Sequence, residues 1–567
     1  MSGSVTPASD AHAAAQPVDV VGRHKRLVRR TALIAGLTAL SRVLGYGREV
    51  LTAMLFGDKS AIYDAFVTAW RVPNLFRRLL GEGAVSTSLQ STMTETDAEL
   101  GLAAGRALMW ETLRLAFWIL LAICALVMGG VWLMSDTMPF TGWHWLGQDA
   151  AAMRELTLDV TPYVIVICLA GLIGGALAVR GKFTMASAGP GVMNLIAIVT
   201  LVIIGARFGW SGLAPEDGVE GRLRHLDMAR WFSWGLVFSG LVQLAMLVPE
   251  MRSAQLLSRA HDLARHRRDA WIVLKTSLPL ALGAAVYQVN VLVDSFMANN
   301  MLSTGGASTY YYANRIQQLP LALVATAATS AVFPALKALG HKREFGEMRK
   351  LHDQTHLAIA FIGLPASIGL FVLASPVVAV LLQHGEFGPE GVERTASAMR
   401  MLCIALLPAG AVGLIGRAYY ALGDFKTPVR VSIASLLLNI VLNAVFIVVF
   451  DMDTAGLALA TAISCWLNVF VLVPGLLRRL QEDAGQAVVG VPDFKSRAVK
   501  MLAAAAACGI AAWGVHRLAA SSPRSITALG LAIAAGLAAY IGVAQALRLP
   551  EWIAVRERVT RRLRTPA

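Results

Sequence analysis

Arginines and acids stand in the chain where an apolar helix should carry neither. The stretch near 32–56 is long enough to cross a bilayer, yet Arg42, Arg48 and Glu49 sit in its middle, and the stretch near 63–90 adds Asp64, Arg71, Arg77, Arg78 and Glu82. A charge at a bilayer centre costs roughly 2.5–3.5 kcal/mol on insertion scales, so such residues face a watery cavity or one another. Arginine suits an anionic guest in such a cavity, because its planar fork binds phosphate oxygens bidentately and stays charged when buried. On an ideal helix Arg42 and Arg48 lie about 9 Å apart along the axis. Arg42 and Glu49 share a face, and Arg78 and Glu82 form an i,i+4 pair. Arginines outnumber acids, which leaves the net positive charge that a pyrophosphate cargo needs. The competing reading is a set of salt bridges gluing helices together. For Arg71 and Arg78 taken singly, snorkelling from a helix end is the simpler reading. The second half of the chain adds Arg315, in TYYYANRIQQLP.

A second, softer constellation is made of oxygen donors. Asp294 lies in VNVLVDSFMAN, Asn439 and Asn443 are one helical turn apart, and Thr461 follows in the next apolar stretch. A carboxylate, two amide carbonyls and a hydroxyl are hard donors suited to a small cation such as Na⁺. Interhelical hydrogen bonding by polar side chains is the plainer alternative, and protonation of Asp294 is a competing way to couple an ion to transport. No P-loop, GxSxG or HExxH is present, so the chain is expected to be a transporter and not an enzyme. Tyr310–Tyr312 reads as interfacial packing.

The elements that must hold these residues follow from composition. The 567 residues are 56% hydrophobic and 15% charged, with a net charge of +14 and mean hydropathy +0.59. Soluble domains are about 25% charged, so the chain reads as an all-α polytopic membrane protein. Fourteen spans are expected near 32–56, 63–90, 108–134, 156–179, 187–206, 229–250, 271–298, 309–336, 356–383, 397–421, 428–450, 455–477, 499–518 and 525–547. The positive charge is better explained by basic cytoplasmic loops than by nucleic-acid binding. Arg252–Arg268, Lys337–Lys350, Arg478/Arg479 and the tail after Leu547 are basic, which puts both termini in the cytoplasm. Two loops fit poorly: residues 94–100 are acidic though inside, and 207–230 hold arginines though outside. The five cysteines lie in apolar stretches without CxxC spacing and read as core residues.

The chain also repeats itself. Gly171-Leu172-Ile173-Gly174 recurs as Gly413-Leu414-Ile415-Gly416, followed by Phe183 or Phe425, Pro190 or Pro428, and Asn194 or Asn439. A weaker echo links Ala69-Trp70-Arg71-Val72-Pro73 with Ala313-Asn314-Arg315-Ile316 and Pro320. An even number of spans separates the copies, which implies two parallel six-helix lobes with cargo bound between them and access alternating by rocking. The expected organisation is a disordered basic tail (1–30), an N-terminal lobe (31–252), a basic linker (253–269), a C-terminal lobe (270–480), a terminal helix pair (481–548) and a basic tail (549–567).

SRVLGYGREV, YDAFVTAWRVPNLFRRLLGEGAVS and YYYANRIQQLP resemble the signature of the bacterial lipid II flippase family (MurJ, also MviN) within the multidrug/oligosaccharidyl-lipid/polysaccharide exporter superfamily. The resemblance covers nearly all of residues 30–550. It implies fourteen spans and export of the undecaprenyl-pyrophosphate-linked peptidoglycan precursor, lipid II, across the bacterial cytoplasmic (inner) membrane, by a monomer surrounded by membrane lipids. It implies Arg42, Arg48, Arg77 and Arg315 as pyrophosphate contacts, with Ser41, Asp64 and Glu82 as polar cavity positions, the acids moderating the arginines. It also implies Asp294, Asn439, Asn443 and Thr461 as a Na⁺ site. The family pattern often has acids where this chain has Asn314 and Gln318, which makes Asp294 a candidate partner for Arg315. The alternatives are an exporter of another lipid-linked oligosaccharide and a drug/ion antiporter of the same superfamily.

Overall fold

The structure is a computed structural model that describes residues 20–81, 83–133, 149–210, 218–258, 267–322, 327–520, 522 and 524–564. Among these residues it is helical without strands: α1 (Val20–Phe56), α2 (Ala61–Phe76), a π-helical turn (Arg77–Gly81), α3 (Ala84–Leu100), α4 (Leu102–Leu133), α5 (Ala150–Val160), α6 (Pro162–Val179), α7 (Thr184–Phe208), α8 (Gly218–Ser253), α9 (Arg267–Met301), α10 (Gly306–Leu321), α11 (Ala327–His341), α12 (Phe345–Val372), α13 (Ala374–Leu382), α14 (Pro389–Ala421), α15 (Lys426–Val448), α16 (Asp453–Ala484), α17 (Phe494–Ala519), α18 (Ile526–Ala546) and α19 (Pro550–Arg564). Ten segments, with α5–α6 counted as one, are long and apolar enough to cross a membrane. Trp118, Leu126, Phe238, Val441 and Ile510 are exposed on their outer faces, as lipid contact requires. The chain is a multi-pass membrane protein.

The remaining four expected segments are also helical but are either broken into shorter helices or not apolar enough to be counted with these ten. They are α1, α2–α3, α9 and α10–α11, the segments that carry Arg42, Arg48, Asp64, Arg71, Arg77, Asp294 and Arg315. They also pack centrally: α9 lies against α2, α3 and α4 on one side and α10 and α15 on the other, and α10 lies against α2. The repeat shows in the pairing. α7, with Asn194, packs on α1, and α15, with Asn439, packs on α9.

Local chemistry explains where helices break. Pro73 and Pro320 lie inside α2 and α10, where each removes one N–H from the helical ladder. After Pro73 the backbone widens into the π-helical turn at Arg77–Gly81, a distortion common at functional sites. A Cβ on Gly171 would lie 2.4 Å from the Gly81 carbonyl oxygen, so α6 approaches that turn only because residue 171 has no side chain. This accounts for the first copy of the Gly-Leu-Ile-Gly motif.

Some expected boundaries move. α1 starts at Val20, so Arg23–Arg30 continue the first helix instead of ending a tail at residue 30; lysine and arginine are good helix formers and no proline interrupts them. Residues 1–19 and much of the linker, 259–266, lie outside the described residues. The ninth expected segment is divided at Leu373 into α12 and α13, and the C-terminal tail is the helix α19.

The two loops that fitted poorly by charge are neutralised internally. Arg222 donates to both oxygens of Asp149 at 2.7 and 2.8 Å, and Arg230 pairs with Asp159 at 3.0 Å and Glu155 at 3.4 Å. Burial alone would raise the Asp149 carboxyl, but the Arg222 hydrogen bonds outweigh it and hold it below the usual carboxylate range. At the other loop Arg180 meets Asp97 at 2.9 Å.

One end of the molecule is clamped by contacts between the two halves of the chain. The Glu386 N–H donates to the Met54 carbonyl at 3.0 Å, and the Gly388 N–H donates to Asp58 Oδ1 at 2.8 Å. Within the second half, Arg394 braces the same end by donating to the Thr304 carbonyl at 2.7 Å and to Asp453 Oδ1 at 2.9 Å. Gly305 has φ +83°, and a Cβ there would lie 1.6 Å from the Asp58 carbonyl oxygen. Only glycine serves at that close crossing.

Candidate functional site

Two cavities adjoin: the inner one lies between the halves, and the larger one is lined by the first half apart from Arg315. The inner one is lined by Arg48, Arg71, Arg77, Arg78 and Arg315 with Tyr311, Asn314 and Gln318. The larger one, with about 1240 Å³ of empty space, is lined by Ser41, Arg42, Arg77, Gln90, Asn194 and Arg315 among others. Arg77 and Arg315 belong to both. Among the described residues no carboxylate lines either cavity.

Glu49 stands behind this surface and partly balances it. It pairs with Arg48 beside it, both side chains being nearly fully buried, and meets Arg315 Nε at 3.5 Å. The Tyr311 hydroxyl donates to Glu49 Oε1 at 2.9 Å. One carboxylate of the first half is thus shared by an arginine from each half. Asp294, the candidate partner for Arg315, is not that partner; it is held elsewhere by Asn443, as described below. At the positions where the family pattern often has acids, Gln318 donates to Asn314 Oδ1 at 2.8 Å, so these two places supply amides and no negative charge to the arginines.

The other expected site residues divide. Ser41 lines the larger cavity, and its carbonyl accepts from Asn194 Nδ2 at 2.9 Å. Asp64 does not line either cavity, which corrects the expectation that it moderates the arginines. It is 4% exposed at the clamped end, where it accepts the N–H groups of Gly305 and Ser308, both at 2.7 Å. A buried carboxylate at the N-terminus of α10 satisfies donors that the helix itself leaves free. Glu82 lies outside the described residues. Arg71 and Arg78, which the simpler reading made snorkelling residues, line the inner cavity instead. The signal for Arg71 was in the repeat: it is the echo of Arg315, and both copies reach the same cavity from opposite halves.

Consecutive helical residues point about 100° apart, so the three tyrosines of α10 face three neighbourhoods. Tyr310 reaches Asp294 Oδ2 and Thr461 Oγ1, both at 3.4 Å. Tyr311 reaches Glu49 and Arg48, and Tyr312 reaches Thr52 at 3.4 Å. These are polar junctions as well as packing.

Asp294, Asn439, Asn443 and Thr461 come together, with Asn290 as an addition. Asn443 Nδ2 donates to Asp294 Oδ1 at 2.8 Å, Asn290 Nδ2 donates to Asp294 Oδ2 at 3.2 Å, and Thr461 Oγ1 lies 3.4 Å from Asp294 Oδ2. Asn439 Oδ1 lies 2.9 Å from Asp294 Oδ1 and 3.1 Å from Asn290 Oδ1. Three acceptor oxygens that close repel one another unless the Asn439 amide turns over or a cation stands among them. Asn443 Oδ1 is buried without a hydrogen-bond partner. This donor set fits a small hard cation. Among the described residues no cluster of three His, Cys, Asp or Glu side chains offers a site of the transition-metal kind.

A separate apolar groove of about 970 Å³ runs between α12, α13, α17 and α18, lined by Phe361, Pro365, Gly369, Cys508, Gly536 and Tyr540 among others.

Comparison with known proteins places the fold and the family. A solved structure described as "Lipid II flippase MurJ, inward closed conformation" superposes with TM-score 0.68 at 19% identity, over 91% of this chain and 98% of that one. A multidrug resistance MATE family transporter of the MOP superfamily, in an inward-facing conformation, superposes with TM-score 0.60 at 12% identity, over 80% and 99%; these likenesses concern the fold. The "Probable lipid II flippase MurJ" of Vibrio cholerae is 31% identical over 92% of this chain and 96% of its own length, and the "Lipid II flippase MurJ" of Burkholderia cenocepacia is 27% identical over 80% and 84%. The model of the family "Lipid II flippase MurJ" matches residues 52–531, and the chain belongs to that family.

Proposed function

We propose that this chain carries lipid II from the inner to the outer leaflet of the bacterial cytoplasmic membrane. The observation that carries this reading is the surface of arginines reached from both halves, which no carboxylate among the described residues lines; it suits a pyrophosphate and repels a cationic drug. By the positive-inside rule the clamped end faces outward and both termini face the cytoplasm. The larger cavity then opens to the side where the precursor is made. Arg42 and Arg77 meet the head group first, and Arg48 and Arg315 draw the pyrophosphate inward against the charge of Glu49. The undecaprenyl tail follows the apolar groove of α17 and α18. Release outward requires the two halves to rock about α9, opening the clamp as the cavity closes. The monomer is the working unit.

Asp294, Asn290, Asn439, Asn443 and Thr461 hold a cation such as Na⁺, which when bound supplies a positive charge against the buried carboxylate. In cells depleted of the native carrier, Arg315→Ala or Arg42→Ala that inserts normally leaves lipid II on the inner leaflet. Export at the wild-type rate by both variants would refute the assignment. Accumulation of a different lipid-linked oligosaccharide on depletion would move the cargo to that glycan.

A further inference from the structure

We propose that Arg71 couples the oxygen pocket around Asp294 to the arginine cavity, so that neutralising Asp294 tightens the grip on an anion. The proposal rests on reading the oxygen pocket as a cation site, and it adds a residue that joins that site to the cargo.

Arg71 differs from its neighbours in the cavity. Arg48 and Arg315 share Glu49, whereas Arg71 makes no ion pair among the described residues and its Nε is buried without a hydrogen-bond partner. Its guanidinium lies 5.2 Å from the centre of the Tyr311 ring, a contact that holds a cation in place without cancelling its charge. It lines the inner cavity, where an anion would sit. Asp294 is a carboxylate in electrostatic reach of Arg71, with Tyr310 against Asp294 and Tyr311 against Arg71. The two tyrosines carry the same link through bonds: one touches Asp294, and the next stacks on Arg71 and donates to Glu49. Asp294 and Tyr310 are buried and Arg71 and Tyr311 half-buried, so charges there are screened less than at an open surface.

The sign follows from electrostatics. While Asp294 is bare, its negative charge offsets part of the field of Arg71 and opposes an incoming anion. A cation among the oxygens cancels that charge and leaves Arg71 to the anion. Linkage requires the reverse as well: an anion beside Arg71 raises the affinity of the oxygen pocket for its cation by the same factor.

The test uses the full-length carrier in detergent and farnesyl pyrophosphate as the probe, titrated in Na⁺ and in choline at equal ionic strength. The wild type is expected to bind about 5-fold or more tightly in Na⁺, the low end of typical couplings. Asp294→Asn binds tightly in both salts. Arg71→Gln binds more weakly and equally in both salts, and adding Asp294→Asn to it gains nothing. Arg42→Gln, at the other cavity, binds more weakly but keeps the response to Na⁺. Arg71→Lys keeps the charge and the response. A response that survives in Arg71→Gln, or one that is lost in Arg71→Lys, overturns the role of Arg71. If Asp294→Asn tightens binding only when Arg71 is present, yet Na⁺ does nothing to the wild type, the Na⁺ reading falls and the Arg71–Asp294 link stands. If neither Na⁺ nor Asp294→Asn changes binding in the wild type, the proposal itself is overturned.

Discussion

The clamped end and the arginine cavity use the same kinds of residue to opposite effect. At the clamp, Asp58 and Asp64 accept backbone N–H groups of the second half, and Arg394 is met by Asp453 and by the Ser303 and Thr304 carbonyls. In the cavity, five arginines line one surface and Glu49 meets two of them. A polar network whose members are satisfied holds a conformation, and one left short of charge waits for a guest. Asp64 and Arg71 stand on one helix, yet one locks the halves together and the other faces the space between them.

Glu49 is where the two behaviours meet, and the largest effect is expected there. Glu49→Gln leaves Arg48, 6% exposed, without its carboxylate. Breaking a buried pair from one side costs about 3–5 kcal/mol, so thermal unfolding in detergent should show a large loss of stability. Arg48→Met in the same background should recover part of it, because the uncompensated charge is gone. Equal midpoints for Glu49→Gln and the wild type would mean that the cavity has no structural pair of its own, and the contrast with the clamp would sharpen.

Asp64→Asn tests the other side. It leaves one acceptor where two charge-assisted bonds stood, and such bonds contribute about 1.5–3 kcal/mol each. A loss of about 2 kcal/mol opens the clamp roughly 30-fold more often. A cysteine placed at the buried Thr309, in a background without the native cysteines, should be labelled faster by about that factor. Farnesyl pyrophosphate binding should be unchanged. Labelling at the wild-type rate would show that Asp64 caps α10 without holding the halves together.

How much of this could be read from the sequence depended on distance along the chain. The apolar segments were legible because lipid contact demands long runs of one kind of residue. α1, α2–α3, α9 and α10–α11 were harder, since the charges that interrupt them are the residues lining the cavity. The oxygen pocket was legible in part, because Asn439 and Asn443 are one turn apart and share a face of α15. The role of Asp64 was not, since its partner Gly305 lies 241 residues away and nothing local marks it. The same holds for Glu49 and Arg315. Arg222 and Asp97 looked misplaced by loop charge because their partners, Asp149 and Arg180, come from other loops. Arg71 could have been found: the repeat aligned it with Arg315, but proximity to Pro73 and a helix end favoured snorkelling.

The smallest effect is expected where this chain departs from its family's pattern. Asn314→Asp with Gln318→Glu puts two carboxylates among arginines whose cavity no carboxylate lines among the described residues. Both amides line the cavity, and a hydrogen bond from Gln318 to Asn314 joins them. The unfolding midpoint should therefore stay level or rise slightly as the new acids pair with Arg315 and its neighbours. Anion binding should weaken, by roughly tenfold if the acids remove about 1.4 kcal/mol of attraction. The variant separates two explanations of an under-compensated cavity. If the arginines are held short of charge to receive a guest, adding acids improves stability and impairs binding together. If binding is unchanged, the arginines that matter are those already shared with Glu49, and the surface around Arg71 and Arg78 is not what grips the pyrophosphate.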